Sequence, residues 1–319
     1  SILNTNISIL KKMNELKIFA PATIANVSCG FDVLGLCLDT VGDEMIIRKM
    51  SDKGIKISKL VGQDLPLETN KNVAGVAGLA MLDKLDLDHG FEIEIYKNIK
   101  AGSGIGSSAA SSAGTVWAMN ELLGKPFTAK ELVSFAMEGE KLASGTAHAD
   151  NVAPALLGGF TLVRSYDPLD LIKIPTPSEL YATVIHPQIE VKTSDSRSVL
   201  KQNISLKKSI IQIGNLGGLI SGLYTSDYDL ISRSLHDEIV EPLRSILIPG
   251  FDEVKENAIN CGALGAGISG SGPSIFALSK GKEMAEKVAE TMSETYKNLG
   301  IDYDIHVSKT NTNGCRVLE

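Results

Sequence analysis

No two of the four cysteines, Cys29, Cys37, Cys261 and Cys315, fall in a Cys-x-x-Cys spacing. That argues against a zinc site or a disulfide framework and fits a reducing, cytoplasmic setting. No run of about 18 apolar residues occurs, so no transmembrane helix is expected. Residues 1–14 lack a basic region followed by a long apolar core, and no signal peptide is expected either. Cations are in the minority: 31 Lys and Arg against 38 Asp and Glu give a net charge of −7. This balance argues against a broad nucleic-acid or anionic-membrane surface, although a few local cations suffice for a small anion. Arginine is scarce, with only Arg48, Arg164, Arg197, Arg233, Arg244 and Arg316. Arginine is the better bidentate partner for a carboxylate, and Arg197 and Arg244 stand out as candidates.

The remaining composition, 43% apolar and 22% charged, is that of an ordinary soluble chain. Its 319 residues suffice for two domains. Residues 165–177 carry prolines at 168, 175 and 177 and read as a linker. The division drawn from this is 1–168 and 169–319.

The stretch richest in chemistry is Ala101-Gly102-Ser103-Gly104-Ile105-Gly106-Ser107-Ser108-Ala109-Ala110. Alternating glycines remove the Cβ atoms that would hold a ligand off the backbone. The serines are good helix N-caps, and small residues follow as far as Trp117. Residues 91–95 alternate apolar and acidic ahead of the loop, as a half-buried strand does. Strand, glycine loop and helix together form a phosphate site, with free N–H groups at the positive end of a helix dipole. The loop is not a P-loop, since no Gly-Lys-Ser/Thr follows it, and its glycine spacing is not that of a dinucleotide fold. A merely close-packed turn is the plain alternative.

Other polar residues stand out against small neighbours. Asn26 and Asp32 are isolated within 21–35, and their spacing suits either a turn and a cap or the lining of a pocket. Thr128 and Glu131 form a capping box that opens a helix to about Leu142. Glu138 and Glu140 lie near that helix's end, where a carboxylate opposes the dipole. Beside a phosphate loop, one such Glu is the natural Mg²⁺ ligand. Ser144, Thr146, His148, Asp150 and Asn151 then crowd into eight residues. A second glycine-rich stretch, residues 265–274, is too small and apolar to bind through side chains and reads as a surface for close backbone packing.

Taken in order, residues 21–35, 101–111 and 265–274 resemble the three motifs of the GHMP kinase superfamily. Further stretches, at 145–154, 193–197, 241–244 and 249–251, resemble its members that phosphorylate L-homoserine. Two departures are Lys100 in place of the usual Pro, and Ile105 in place of Leu.

The resemblance implies an α+β, two-domain GHMP kinase fold. Its N-terminal domain would be ribosomal-protein-S5-like and nucleotide-binding, its C-terminal domain ferredoxin-like. It implies ATP, Mg²⁺ and a homodimer. Gly102, Ser103, Gly104, Ile105, Gly106, Ser107, Ser108 and Ala109 would bind ATP, with Lys100 adding a nearby cation. Ser108 and Glu140 would hold the metal. Arg197 and Arg244 would clamp the substrate carboxylate, with Thr193 beside them. Asp32, aided by Asn26, would take the ammonium, and His148, Asp150 and Asn151 would surround the reacting hydroxyl. The alternatives are another GHMP small-molecule kinase of the mevalonate type, or a non-catalytic ATP or amino-acid sensor.

Overall fold

The computed structural model describes residues 14–319. Two antiparallel-rich sheets divide it. The first contains β1 (Glu15–Ala25), β2 (Leu34–Met50), β3 (Ile55–Val61), β4 (Gly90–Tyr96), β5 (Phe160–Tyr166), β6 (Leu169–Ile174) and the short terminal β11 (Arg316–Val317). Its main order is β11-β1-β2-β4-β3, with β5 on the first half of β2 and β6 on β5. Only the β3–β4 pair is parallel.

A proline lacks the N–H that a ladder needs and tends to end a strand, yet β1 runs through Pro21. A register shift between Pro21 and Thr23 accommodates the missing donor, as a bulge can. The expected linker at 165–177 is largely strand, because β6 folds back on β5 as a hairpin. Strands β6 and β11 therefore join the first sheet, although both lie beyond residue 168.

Helices α1 (Val73–Leu82), α2 (Ser107–Leu122), α3 (Ala129–Ser144) and α4 (Val152–Leu157) belong to this half. All of α2 is buried except Ser108 and Trp117, which its small side chains permit. A Cβ on Gly114 would come within 2.6 Å of Met45 Sδ, and one on Gly139 within 2.2 Å of Ser112 Oγ. The glycines thus let α2 press onto β2 and α3. Thr128 and Glu131 form the expected capping box at the start of α3.

The second sheet has the order β10-β7-β9-β8, from β7 (Leu180–Pro187), β8 (Gly265–Ile268), β9 (Ile275–Lys280) and β10 (Tyr303–Lys309). Helices α9 (Phe251–Cys261) and α10 (Lys282–Leu299) pack on it over Val254, Ile275, Val288, Met292 and Tyr296. Between β7 and β8 in sequence lie α5 (Thr193–Ser198), α6 (Leu206–Thr225), α7 (Tyr228–Ser234) and α8 (Glu241–Arg244). Helix α7 stops at Ser234. Asp237 then gathers the N–H groups of Ile239, Val240 and Glu241, turning the chain back.

The two halves meet where the glycine-rich stretches touch. The second begins as strand β8 and then turns at 269–274. Ser269 Oγ donates to Gly104 O at 2.8 Å, and Ser274 N donates to Ser103 O at 3.2 Å. A Cβ on Gly104 would lie 2.7 Å from both the Ser269 and Gly272 carbonyl oxygens. Gly104 also has φ +85°, whereas a Cβ on Gly102 (φ +74°) would meet no described atom within 4 Å.

Gly104→Ala should therefore lower stability by at least ~2 kcal/mol, through backbone clash added to left-handed strain. Gly102→Ala should cost only about 1 kcal/mol, from conformation alone. Chemical denaturation of both variants checks this; equal losses would overturn the packing role of Gly104.

Candidate active site

A cleft of about 530 Å³ opens along the junction of the two halves. Its floor is the glycine turn and the start of α2. Gly102, Gly104 and Gly106 line the cleft and all have positive φ, the left-handed conformation that glycine adopts without strain. The N-cap of α2 is Gly106 rather than a serine. Ser107 Oγ instead donates to Ile99 O at 2.9 Å. The N–H groups of Ser107, Ser108 and Ala109 are thus at the helix end without a side-chain cap, as an anion site requires. Ser107 and Ser108 line the cleft. Ser103, Ile105 and Ala109 are buried behind it and contribute through the backbone. Ile105 O, for instance, accepts from Thr23 N at 3.1 Å.

Glu138 and Glu140 separate cleanly. Glu138 is exposed, whereas Glu140 is buried and lines the cleft. Burial pushes the Glu140 carboxyl up to about 7, although the Ser108 hydroxyl and the Lys97 charge pull the other way. Its Oε1 has no hydrogen-bond partner among the described residues. A buried carboxylate oxygen without a partner, beside a serine hydroxyl and an anion floor, suits a hard cation such as Mg²⁺. No cluster of three or more His, Cys, Asp or Glu among the described residues offers a cation more than this.

Lys97 went unnoticed in the sequence. It is buried, bonds the buried Asp43, and donates to Ser107 O at 2.9 Å and Ser111 Oγ at 3.2 Å. Asp43 in turn accepts from Asn98 N and Ile99 N at 2.7 and 2.9 Å. Desolvation lowers the Lys97 pKa while Asp43 holds its charge. Lys100, expected near the phosphates, turns away to Gln188 and Asp304 on the second half. Both partners lie outside the loop and draw its ammonium from the cleft.

At the far end the charged residues converge. Arg197 on α5 makes a two-pronged pair with Asp32, at 3.1 and 3.4 Å, and donates to His148 Nε2 at 2.7 Å. Burial lowers the His148 pKa, which suits an imidazole nitrogen accepting from a guanidinium. Arg244 is buried, and its Nε and Nη1 donate to Ser196 O and Gly270 O at 2.9 and 3.1 Å. Desolvation lowers it to about 10, so it remains charged at neutral pH. Phe31, unnoticed in the sequence, lies 5.9 and 5.2 Å from the Arg197 and Arg244 guanidiniums, within cation–π range.

Asn26 and Asp32 belong to a turn with four non-glycine residues at positive φ, Asn26, Val27, Ser28 and Asp32. Asn26 ties it down, accepting from Asp32 N and donating to Gly270 O, both at 3.0 Å. Gln212 of α6 braces it from behind by donating to Cys29 O at 3.1 Å. Asn151 begins α4 but does not cap it; its Oδ1 accepts from Thr23 Oγ1 at 2.7 Å. Asp150 is buried beside it and pushed up to about 7, chiefly by desolvation and then by Asp32 and Glu140. Of the expected site residues, the side chain of Thr193 lies outside the described residues.

Comparison with known proteins agrees with this geometry. Residues 71–159 match the model for the GHMP kinases N terminal domain, and residues 219–298 that for GHMP kinases C terminal. The chain is 47% identical to a homoserine kinase of Chloroherpeton thalassium, over 96% of this chain and 100% of the relative. It is 46% identical to a homoserine kinase of Chlorobaculum tepidum, over 94% and 97%. The crystal structure of a homoserine kinase from Cytophaga hutchinsonii superposes with a TM-score of 0.93 at 51% identity, covering 96% and 98%. A mevalonate kinase structure, at TM-score 0.69 and 17% identity over 93% and 99%, shares the fold. Two glycine turns in contact across an α+β pair of domains define a GHMP kinase. Within that superfamily, this chain belongs to the homoserine kinase family.

Glu140 and Asp150 generate a pH prediction for the chain without ligands. Their folded pKa values of about 7 exceed the ordinary 4.5 and 3.8. Between about pH 4 and 7 these two groups therefore bind more protons in the folded chain than in the unfolded one. Stability from this source is complete below pH 4 and is lost as pH rises through 7. Tm measured across that window should fall less steeply in Glu140→Gln than in the unmodified chain. An unchanged slope would mean that Glu140 ionises as an ordinary carboxylate.

Proposed function

We propose that the chain transfers the γ-phosphoryl group of ATP to the side-chain hydroxyl of L-homoserine, forming O-phospho-L-homoserine on the way to threonine. The observation that carries this is one cleft holding a bare helix N-terminus at one end and an Arg197–Asp32–Arg244 constellation at the other. Homoserine is a small zwitterion. Its carboxylate and ammonium match opposite charges already held side by side, so the Arg197–Asp32 pair can open onto substrate without leaving either charge bare. Arg197 and Arg244 take the carboxylate, while Asp32, held by Asn26, takes the ammonium. A mevalonate-type acceptor has no ammonium for Asp32.

The N–H groups from Gly102 to Ala109 cradle the ATP phosphates. The apolar end of the cleft, with Leu60, Leu65, Pro66 and Ile95, suits the adenine base. Glu140 and Ser108 would hold Mg²⁺, which when bound neutralises charge on the β- and γ-phosphate oxygens. Asp150, Asn151 and His148 surround the acceptor hydroxyl. Asp150 receives its proton as the oxygen bonds to the γ-phosphorus and ADP departs. A carboxylate near pKa 7 is basic enough for that step yet still ionised in a useful fraction. Much of the rate comes from positioning and electrostatics, because phosphoryl transfer through a loose transition state asks little else.

ATP as phosphoryl donor supports a cytoplasmic setting, and no helix among the described residues is long and apolar enough to cross a membrane. The net charge of −7 gives no footing for a nucleic-acid partner. A homodimer is part of this proposal.

A coupled ADP-release assay with L-homoserine, L-serine, L-threonine, mevalonate and galactose tests the assignment. Turnover with homoserine alone is expected; comparable turnover with mevalonate would refute it, and ATP binding without turnover on any acceptor would favour a sensor. Arg197→Ala should raise the homoserine KM about 100-fold, the equivalent of ~3 kcal/mol for a lost charged hydrogen-bond pair, and leave the ATP KM within a few-fold. Equal effects on both would refute the carboxylate role. At saturating magnesium, kcat should rise with pH to a plateau above about 7, and Asp150→Asn should lose about 10²–10⁴-fold along with that rise. A rise of unchanged midpoint in Asp150→Asn would remove it as the base.

A further inference from the structure

Helix α6 has two unlike faces. Its inner face carries buried Gln212, Leu219, Gly222 and Leu223, which join the core or, for Gln212, hold the Cys29 carbonyl. Its outer face is apolar and open. Leu206, Ile210, Ile213 and Tyr224 are 76%, 60%, 69% and 54% exposed. They fall on one stripe at helical spacing, with Gly214, Gly217 and Ser221 between them. A Cβ added at Gly214 or Gly217 would meet no described atom within 4 Å. Ser221 spends its hydroxyl on Gly217 O at 2.8 Å, so the stripe makes little polar demand on whatever covers it. Contiguous exposed apolar surface of this kind marks an interaction site.

The pattern specifies what covers it. The branched residues lie toward the N-terminal half of the stripe and the small ones toward the C-terminal half. Antiparallel pairing with an identical helix, about a centre between Gly214 and Gly217, sets Ile210 against Ser221 and Ile213 against Gly217. Large residues then meet small ones through the middle of the stripe, and Leu206 meets Tyr224 at its ends. The charges agree. Lys201, Lys207 and Lys208 lie at or before the N-terminal end of α6, and Asp227 and Asp229 just beyond its C-terminal end. Antiparallel pairing brings opposite signs together at both ends, whereas parallel pairing would oppose like charges.

We propose that the outer face of α6 is an isologous two-fold interface with a second copy of this chain, packed antiparallel on its own equivalent. This rests on the homodimer reading above and assigns its surface. A symmetric dimer uses the same patch twice, and a self-complementary helix stripe is the simplest patch that does so. The interface stands behind the Asn26–Asp32 turn, on the opposite side of α6 from Gln212, and leaves the cleft open.

Two measurements test it. Sedimentation of the full chain should give twice the 34.0 kDa chain mass. The Ile210→Glu, Ile213→Glu double variant should weaken self-association at least about 100-fold, with unchanged circular dichroism, because both side chains are exposed. A Leu206→Cys, Tyr224→Cys double variant should form a covalent dimer on mild oxidation, and neither single variant should. Residues 206 and 224 lie about 27 Å apart along the helix, so only antiparallel copies bring them together. Cross-linking of either single variant to the same extent would overturn the antiparallel arrangement. A dimer that survives both glutamates would overturn this face while leaving the homodimer reading intact. A monomeric unmodified chain would overturn both.

Discussion

The turn at 269–274 is the point on which the cleft depends. It receives the first glycine turn through the Ser269 hydroxyl and the Ser274 N–H, and Gly270 N donates to Ala25 O at 3.2 Å. The Gly270 carbonyl accepts from both Asn26 and Arg244, and the Ser271 carbonyl from Ser196 Oγ at 2.7 Å. One short turn built only from Gly, Ser and Pro thus holds the first glycine turn, the Asn26–Asp32 turn, Arg244 and helix α5 in register. Side chains would separate these pieces by the width of a Cβ or more. The small composition of the stretch follows from that need for contact.

Around this hub the chain keeps charge buried, which sets the chemistry. Glu140 and Asp150 are raised because they lack full compensation, and the roles proposed for them would need their charge only when ligands arrive. Lys97 and Asp43 are the opposite case. Their four strong acceptor or donor contacts beyond each other satisfy both groups, so this pair is structural. A buried pair satisfied in this way contributes more to specifying one arrangement than to raw stability. The Arg197–Asp32 pair lies between the two. It is half-exposed, two-pronged and open to the cleft, so a zwitterion can replace each partner at small electrostatic cost.

Local chemistry was legible where a residue's role is fixed by its neighbours in sequence. The capping box at Thr128, the alternating strand β4 and the glycine turns belong to that class, because cap geometry, pleat and positive φ are short-range properties. Asn26, Asp32, His148 and Asp150 were visible as polar residues in small, apolar surroundings, and they do converge. The failures are all long-range. Pro21 signals a break, but pairing with β2 on either side of a bulge carries β1 past it. The prolines at 168 and 175 mark turns without revealing that β6 lies between them and pairs with β5. Lys97 looks like a surface lysine after a strand, since its partner Asp43 stands 54 positions earlier. Arg197 and Asp32, 165 positions apart, could be chosen individually but not as a pair.

The fate of the two lysines explains how this loop handles phosphate without the lysine of a P-loop. Lys100 is in the place where such a cation might be sought, yet it serves the contact between halves at Gln188 and Asp304. Lys97 lies beneath the first turn of α2 instead, with acceptors at Asp43, Ser107 and Ser111. Its donors are spent, so it cannot bond a phosphate oxygen, and Asp43 cancels much of its field. What it secures is position: Ser107 O and Ser111 Oγ fix the helix start from below, while the N–H groups face the cleft. Phosphate recognition is thereby assigned to backbone dipoles, which carry no side-chain entropy and need no desolvation of a mobile ammonium. On the proposed reading, the remaining charge of a nucleotide would be met by a cation held between Glu140 and Ser108. Such a loop would suit a metal–nucleotide complex better than a bare polyphosphate, because its own lysine is already paired.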